Sequence, residues 1–198
     1  MKKGKIKINL GSGLRVVRGF INVDKFYNPD SITDKGIKYI QADICELPFK
    51  SDYADYIKTI DTVEHIGFRN IEQAFREMYR VLKPGGKLCI MTTNFDNLAG
   101  LWTKNITGKQ FTKEVIGEYI NLTEVIYGNQ LQPGEYHTLP FNPYFLGYLL
   151  MGVGFKKEKI KMTLYPMGKR GPGRRQKTQP YSTKSVARTD MIWVDAIK

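Results

Sequence analysis

At 198 residues, with 41% hydrophobic and 25% charged side chains, the chain has the size and composition of one globular domain and not of a disordered segment. Its net charge of +12 is concentrated in one place, because residues 155–188 hold 11 basic side chains and one acidic. No apolar run approaches the roughly 18 residues of a membrane span, the basic opening lacks the apolar core of a signal peptide, and Cys45 and Cys89 lack disulfide-framework or zinc-ligand spacing; a cytoplasmic protein without a metal site is the expectation.

The chain opens on a β-type run, residues 5–10, that leads into Gly11-Ser12-Gly13. A second strand over residues 20–24 ends on Asp24, and a third over residues 37–42 runs into Asp43. A fourth strand covers residues 54–60. Ile71, Ala74, Phe75, Met78 and Leu82 then recur at helical spacing and predict an amphipathic helix, with Arg69, Glu72, Arg76, Glu77 and Arg80 on its wet side. Lys83-Pro84-Gly85-Gly86 predicts the stop and turn, and residues 87–92 a fifth strand. Residues 95–140 read as a helical cap, with helices near 96–104 and 112–126. Asn142-Pro143 marks the start of another helix. Residues 156–163 and 191–197 read as two strands pairing as a hairpin, joined by a basic loop over 164–188.

A strand, a glycine turn and an acid at the next strand tip are how α/β proteins hold a nucleoside-bearing cofactor. Gly11 and Asp24 are only 13 residues apart and Val16 stands at the third glycine position, which excludes the dinucleotide fingerprint. No Lys-Ser/Thr pair follows the glycines, which excludes a P-loop. Acids at strand ends also cap loops. Two at successive tips beside a glycine turn fit an adenosyl group, one taking the ribose diol and the other, with the backbone of Ile44, facing adenine.

In order along the chain, Asn9-Leu10-Gly11-Ser12-Gly13, Asn22-Val23-Asp24, Ala42-Asp43-Ile44, Leu47-Pro48-Phe49, Val63-Glu64-His65-Ile66 and Glu77 through Gly86 resemble the small type 11 class I S-adenosylmethionine-dependent methyltransferases. The resemblance implies a single Rossmann-like α/β domain over residues 1–198, with strand order 3-2-1-4-5-7-6 and an antiparallel last strand. It implies S-adenosyl-L-methionine as cofactor, with Gly11, Ser12 and Gly13 beneath its methionine part. Asp24 would bind the ribose, Asp43 and Ile44 the adenine, and Thr59, Ile60 and Asp61 would line the sulfonium side. The chain departs from the family in three ways: the helix before strand 1 and the third glycine are missing, and Asp61 replaces a frequent histidine.

Methyl transfer from a sulfonium needs mainly alignment of the acceptor, plus a base where the acceptor loses a proton. His137, in the segment leading to the post-strand-5 helix, is the candidate catalytic base, with Tyr136 beside it as a substrate contact. His65 reads as a histidine satisfied by backbone groups. Tyr127, Tyr136, Phe141 and Tyr144 either wall a substrate pocket or pack the cap. Lys169, Arg170, Arg174, Arg175 and Lys177, with Tyr165 and Tyr181 nearby, suit an anionic partner. The leading reading is transfer to a small-molecule or glycan-type acceptor bearing an anionic group such as phosphate. A nucleic-acid methyltransferase using this basic loop, and a non-catalytic scaffold subunit, are the alternatives.

Overall fold

The computed structural model describes residues 4–28, 30, 34, 36–110, 112–166 and 190–198. Seven strands form one sheet: β1 (Lys7–Leu10), β2 (Ile21–Asp24), β3 (Lys38–Gln41), β4 (Ala54–Ile60), β5 (Leu82–Thr93), β6 (Ile160–Pro166) and β7 (Asp190–Ile197). Their order is β3-β2-β1-β4-β5-β7-β6, as expected. The first five run parallel, and β7 is antiparallel to both β5 and β6. β6 starts later than the sequence suggests, because Lys157–Lys159 forms a 3-10 turn, and it runs on to Pro166, three residues into the expected loop.

One face of the sheet carries the main core. The helix α1 (Ile71–Val81) lays its expected stripe there, and Ile71, Ala74, Phe75, Met78 and Leu82 are each at most 2% exposed. Burying a large apolar side chain contributes roughly 1.5–3 kcal/mol, so this face anchors the domain. After the two cap helices α2 (Phe95–Asn105) and α3 (Lys113–Tyr127), α4 (Pro143–Gly152) adds Leu146, Leu149 and Leu150 to the same core. Asn142 caps α4 as its sequence predicts, accepting the Phe145 N–H at 2.9 Å. Strand alternation sends Cys89, Met91, Met191 and Trp193 to the opposite face, where they form a smaller cluster with Tyr56 and Ile60.

No helix connects β1 to β2; the ten residues between Leu10 and Ile21 are turns and extended chain. Parallel strands normally need a longer, helical crossover whose backbone satisfies itself. Here buried Asn22 takes over that task. Its Oδ1 accepts from Val17 N–H at 2.8 Å and from Asn9 Nδ2 at 2.9 Å, and its Nδ2 donates to Val17 O and Lys38 O, both at 3.1 Å. One side chain thus ties the connection to three strands.

Two expectations are corrected. Lys83–Gly86 is not a free turn: β5 begins at Leu82, which pairs with Ala54, and the register shifts before Tyr56 pairs with Lys87. Pro84 has no N–H for the ladder, so the strand bulges there instead of ending. Glu77 and Arg80 are not on the wet side either. Glu77 Oε2 accepts the Leu47 N–H at 2.8 Å, while Arg80 Nη1 donates to Phe49 O at 2.7 Å and its Nε to Glu77 Oε1 at 2.6 Å. The pair clamps the loop after β3.

Hydrogen bonding from Arg80 holds the Glu77 carboxyl below its usual range against the opposing effect of burial. A lowered folded pKa gives stability that is present above the ordinary glutamate range and lost as pH falls through the folded value. Glu77→Gln is expected to lower unfolding free energy at pH 7 by roughly 1–3 kcal/mol. In urea titrations that difference should shrink below about pH 4. A difference that stays constant into acid would show that the charge is not its source.

Candidate cofactor and acceptor site

The glycine turn after β1 is braced by two neighbours. Gly11 has φ +62°, and a Cβ there would overlap the Thr62 side chain just beyond β4. Only glycine allows this approach. Gly13 N–H donates to Asp24 Oδ2 at 2.7 Å, and Ser12 N–H to Val23 O at 3.1 Å, which fastens the turn to the tip of β2. Asp24 Oδ1 accepts the Phe26 N–H at 2.9 Å. Both carboxylate oxygens therefore hold backbone, and each keeps lone-pair capacity for a further donor.

Asp43 also caps its own loop, accepting the Cys45 N–H at 2.8 Å through Oδ1. Its Oδ2 pairs with Lys25 Nζ at 2.8 Å, so Lys25 links the tips of β2 and β3. Burial opposes ionisation of Asp43, but the Lys25 and Cys45 hydrogen bonds outweigh it and hold the carboxyl below its usual range. The Ile44 side chain belongs to the core, 8% exposed. Thr59 Oγ1 is buried without a hydrogen-bond partner, and Ile60 packs on the smaller cluster. Asp61 turns the chain with φ +50° while its N–H donates to Met91 O at 3.0 Å. The carboxyl ends of the first four strands thus bring Gly11–Gly13, Asp24, Asp43 and Asp61 to one edge, where open α/β sheets bind ligands.

Sequence reasoning missed Tyr39 on β3. Its hydroxyl lies 3.5 Å from Gly13 O, and burial above all pushes its pKa up to about 12, keeping it a neutral donor. Its legible signal is register, since Tyr39 pairs with Asn22 directly beside the turn.

A strap over residues 128–141 connects α3 to α4 and crosses this edge. Gly128, at φ +80°, sits so close to Glu135 O that a Cβ would overlap it. Thr138 N–H donates to Glu64 O at 2.8 Å, Tyr27 Oη to Gln132 Oε1 at 3.1 Å, and the Phe26 ring lies against Gly134. These contacts join the strap to the loops after β4 and β2.

The strap brings His137 to His65. Their rings meet edge-on with centroids 4.7 Å apart. His65 Nδ1 lies 3.1 Å from Tyr136 O and His137 Nδ1 lies 2.8 Å from Val125 O. A carbonyl only accepts, so both imidazoles carry Nδ1–H and keep the Nε2 lone pair. Burial lowers both pKa values, and for His137 the neighbouring His65 lowers it further. Beside them Glu64 is 1% exposed. Its Oε2 has no hydrogen-bond partner. Burial and then the Asp61 carboxylate push the Glu64 carboxyl above its usual range.

The four aromatic candidates differ in placement. Phe141 is a core residue packed on Phe145, whereas Tyr127, Tyr136 and Tyr144 are exposed. Lys169, Arg170, Arg174, Arg175 and Lys177 lie outside the described residues.

Residues 16–90 match a family model described as a methyltransferase domain. A solved S-adenosylmethionine-dependent methyltransferase from Methanosarcina mazei superposes over 100% of this chain and 94% of its own, with TM-score 0.62 at 14% identity. The chain has the class I methyltransferase fold, and residues 16–90 within it match the methyltransferase-domain model. Its sheet order is that of the fold. A phosphoethanolamine N-methyltransferase 2 from Haemonchus contortus, solved with phosphomonomethylethanolamine and S-adenosylhomocysteine, has the same fold, with TM-score 0.56 and 15% identity over 100% of this chain and 50% of that one. In sequence, the chain is 35% identical over 95 residues to a demethylmenaquinone methyltransferase from Listeria welshimeri, a stretch covering 46% of this chain and 34% of that relative. The chain therefore spans about a third of the curated relative it matches. No helix among the described residues is long and apolar enough to cross a membrane.

Gly11→Ala adds a methyl group into Thr62 at a positive φ and is expected to cost roughly 2–4 kcal/mol. For a domain of this size that corresponds to a fall in Tm of roughly 5–15 °C. An unchanged Tm in thermal unfolding would contradict the close approach.

Proposed function

We propose that this chain transfers a methyl group from S-adenosylmethionine to a small-molecule acceptor held beneath the 128–141 strap. The observation that carries the reading is the stapling of the glycine turn to Asp24 through the Gly13 N–H, at the carboxyl edge of a methyltransferase-type sheet. Gly11, Ser12 and Gly13 lie under the methionine part of the cofactor. Asp24 accepts from the ribose hydroxyls with its remaining lone pairs. Asp43 and the backbone of Ile44 face the adenine, with the exposed Lys25 partner yielding or moving aside, since such a surface pair is worth at most about 1 kcal/mol. Thr59, Ile60 and Asp61 border the sulfonium.

The cofactor supplies an already activated methyl group; the protein's part is to hold the acceptor in line and exclude water. His65 and His137 face the acceptor side with two neutral ring nitrogens. That pairing favours an acceptor that presents an oxygen-bearing ring or hydroxyl. The demethylmenaquinone methyltransferase from Listeria welshimeri, whose named substrate is a quinone compound, supports the same class.

Titration calorimetry with S-adenosylhomocysteine checks the cofactor assignment. Binding of one equivalent with a micromolar Kd is expected. Asp24→Asn removes one acceptor from the turn and the ribose site, and should weaken binding roughly 10-fold, about 1.4 kcal/mol. No heat at high micromolar ligand in a folded protein would leave the chain a non-catalytic subunit.

A further inference from the structure

We propose that Glu64, His65 and His137 form a binding site for one divalent cation of the zinc or manganese type, with coordination positions left open towards the acceptor. One potential ligand atom from each residue lies within 4.8 Å of those of the other two. A tetrahedral ion with bonds near 2.1 Å holds its ligands roughly 3.4 Å apart. The three groups thus need to draw in by little more than about 1 Å, within the reach of side-chain rotation.

The histidines are prepared for this task. Each donates its Nδ1–H to a main-chain carbonyl, Tyr136 O for His65 and Val125 O for His137. That arrangement fixes the tautomer with Nε2 free and is how ligating imidazoles are oriented. Glu64 supplies the independent observation. Its carboxyl is buried at 1% exposure, and one oxygen has no hydrogen-bond partner. A buried polar oxygen left without a partner is costly, and a cation that binds in exchange for the carboxyl proton satisfies it. Apart from the effect of His65 on His137, the charged neighbours acting on the two imidazoles are acidic, Glu135 and Asp24 on His65 and Asp61 on His137. In a chain of net charge +12 this is a local anionic field. Two imidazoles and one carboxylate suit a borderline cation and leave at least one position open.

The cation changes the role of His137. With its Nε2 ligating, His137 no longer takes a proton, and it becomes a ligand and not the base the sequence suggests. An acceptor oxygen in the open position is then oriented by the ion, and its proton passes to solvent. This role rests on the methyl-transfer reading, whereas the binding site itself does not.

The test uses the full chain after treatment with chelator, titrated with Zn2+ and with Mn2+ in a calorimeter, with Co2+ absorption as the spectroscopic probe. One equivalent of Zn2+ or Mn2+ should bind, weakened at least about 10-fold in both His137→Gln and Glu64→Gln. These two substitutions conserve shape, and circular dichroism verifies that the strap and sheet remain folded. The Co2+ spectrum should show ligand-field bands without thiolate charge transfer, because Cys45 and Cys89 are not ligands. No binding, binding indifferent to both substitutions, or a thiolate band would overturn the proposal. S-adenosylhomocysteine is titrated into the same metal-free protein. If it binds while the cations do not, the cation site alone fails; if only the cations bind, the methyl-transfer reading fails and the site stands.

Discussion

The backbone of Gly11 lies against the Thr62 side chain with no room for a Cβ, and the carboxyl edge of the sheet is arranged around that contact. It sets the end of β1 directly against the start of the β4 loop. From there the Gly13 N–H reaches Asp24, and the short 3-10 turn Val63–His65 begins one residue beyond Thr62. A bulkier residue at position 11 would separate the glycine turn from the segment that carries Glu64 and His65. One steric constraint thereby couples the two halves of the site.

The sheet achieves this with little scaffolding. Where a helix would cross from β1 to β2, a ten-residue connection is held by the amide of Asn22. A buried, fully bonded amide does the hydrogen-bonding work of several helical turns, because every polar group it engages would otherwise be orphaned. The main core is correspondingly one-sided, with α1 and α4 on one face and a small cluster on the other. Stability and function are thus separated: apolar burial under α1 and α4 holds the strands, and polar side chains at their tips hold the loops.

What could be read from the sequence follows from how local each signal is. The α1 stripe, the Asn142 cap and the order of the strands depend on spacing within a few residues or on a collinear motif series, and all are observed. The placement of Asp24 and Asp43 at strand ends beside the glycine turn was legible, although their backbone-capping bonds were not. Glu77 and Arg80 were misassigned because helical periodicity says which face is wet only when nothing else packs there; the loop at Leu47–Phe49 does. The pairing of His65 with His137 left no trace in spacing. It arises from the strap, which returns a distant segment to the β4 loop through Thr138 and Tyr136. Tyr39 and Lys25 were missed for the same reason, each acting on a neighbouring strand's loop.

If the carboxyl edge and the strap enclose one ligand site built on the Gly11–Gly13 turn, a ligand must protect both. Amide hydrogen exchange with and without S-adenosylhomocysteine tests this most directly, because it reports each segment in the whole chain. Slower exchange is predicted at residues 11–15, 24–27 and 43–45, and in the strap over 128–139, with α1 and α4 unchanged. Protection that leaves the glycine turn untouched, or that appears only on α2 and α3, would contradict the account.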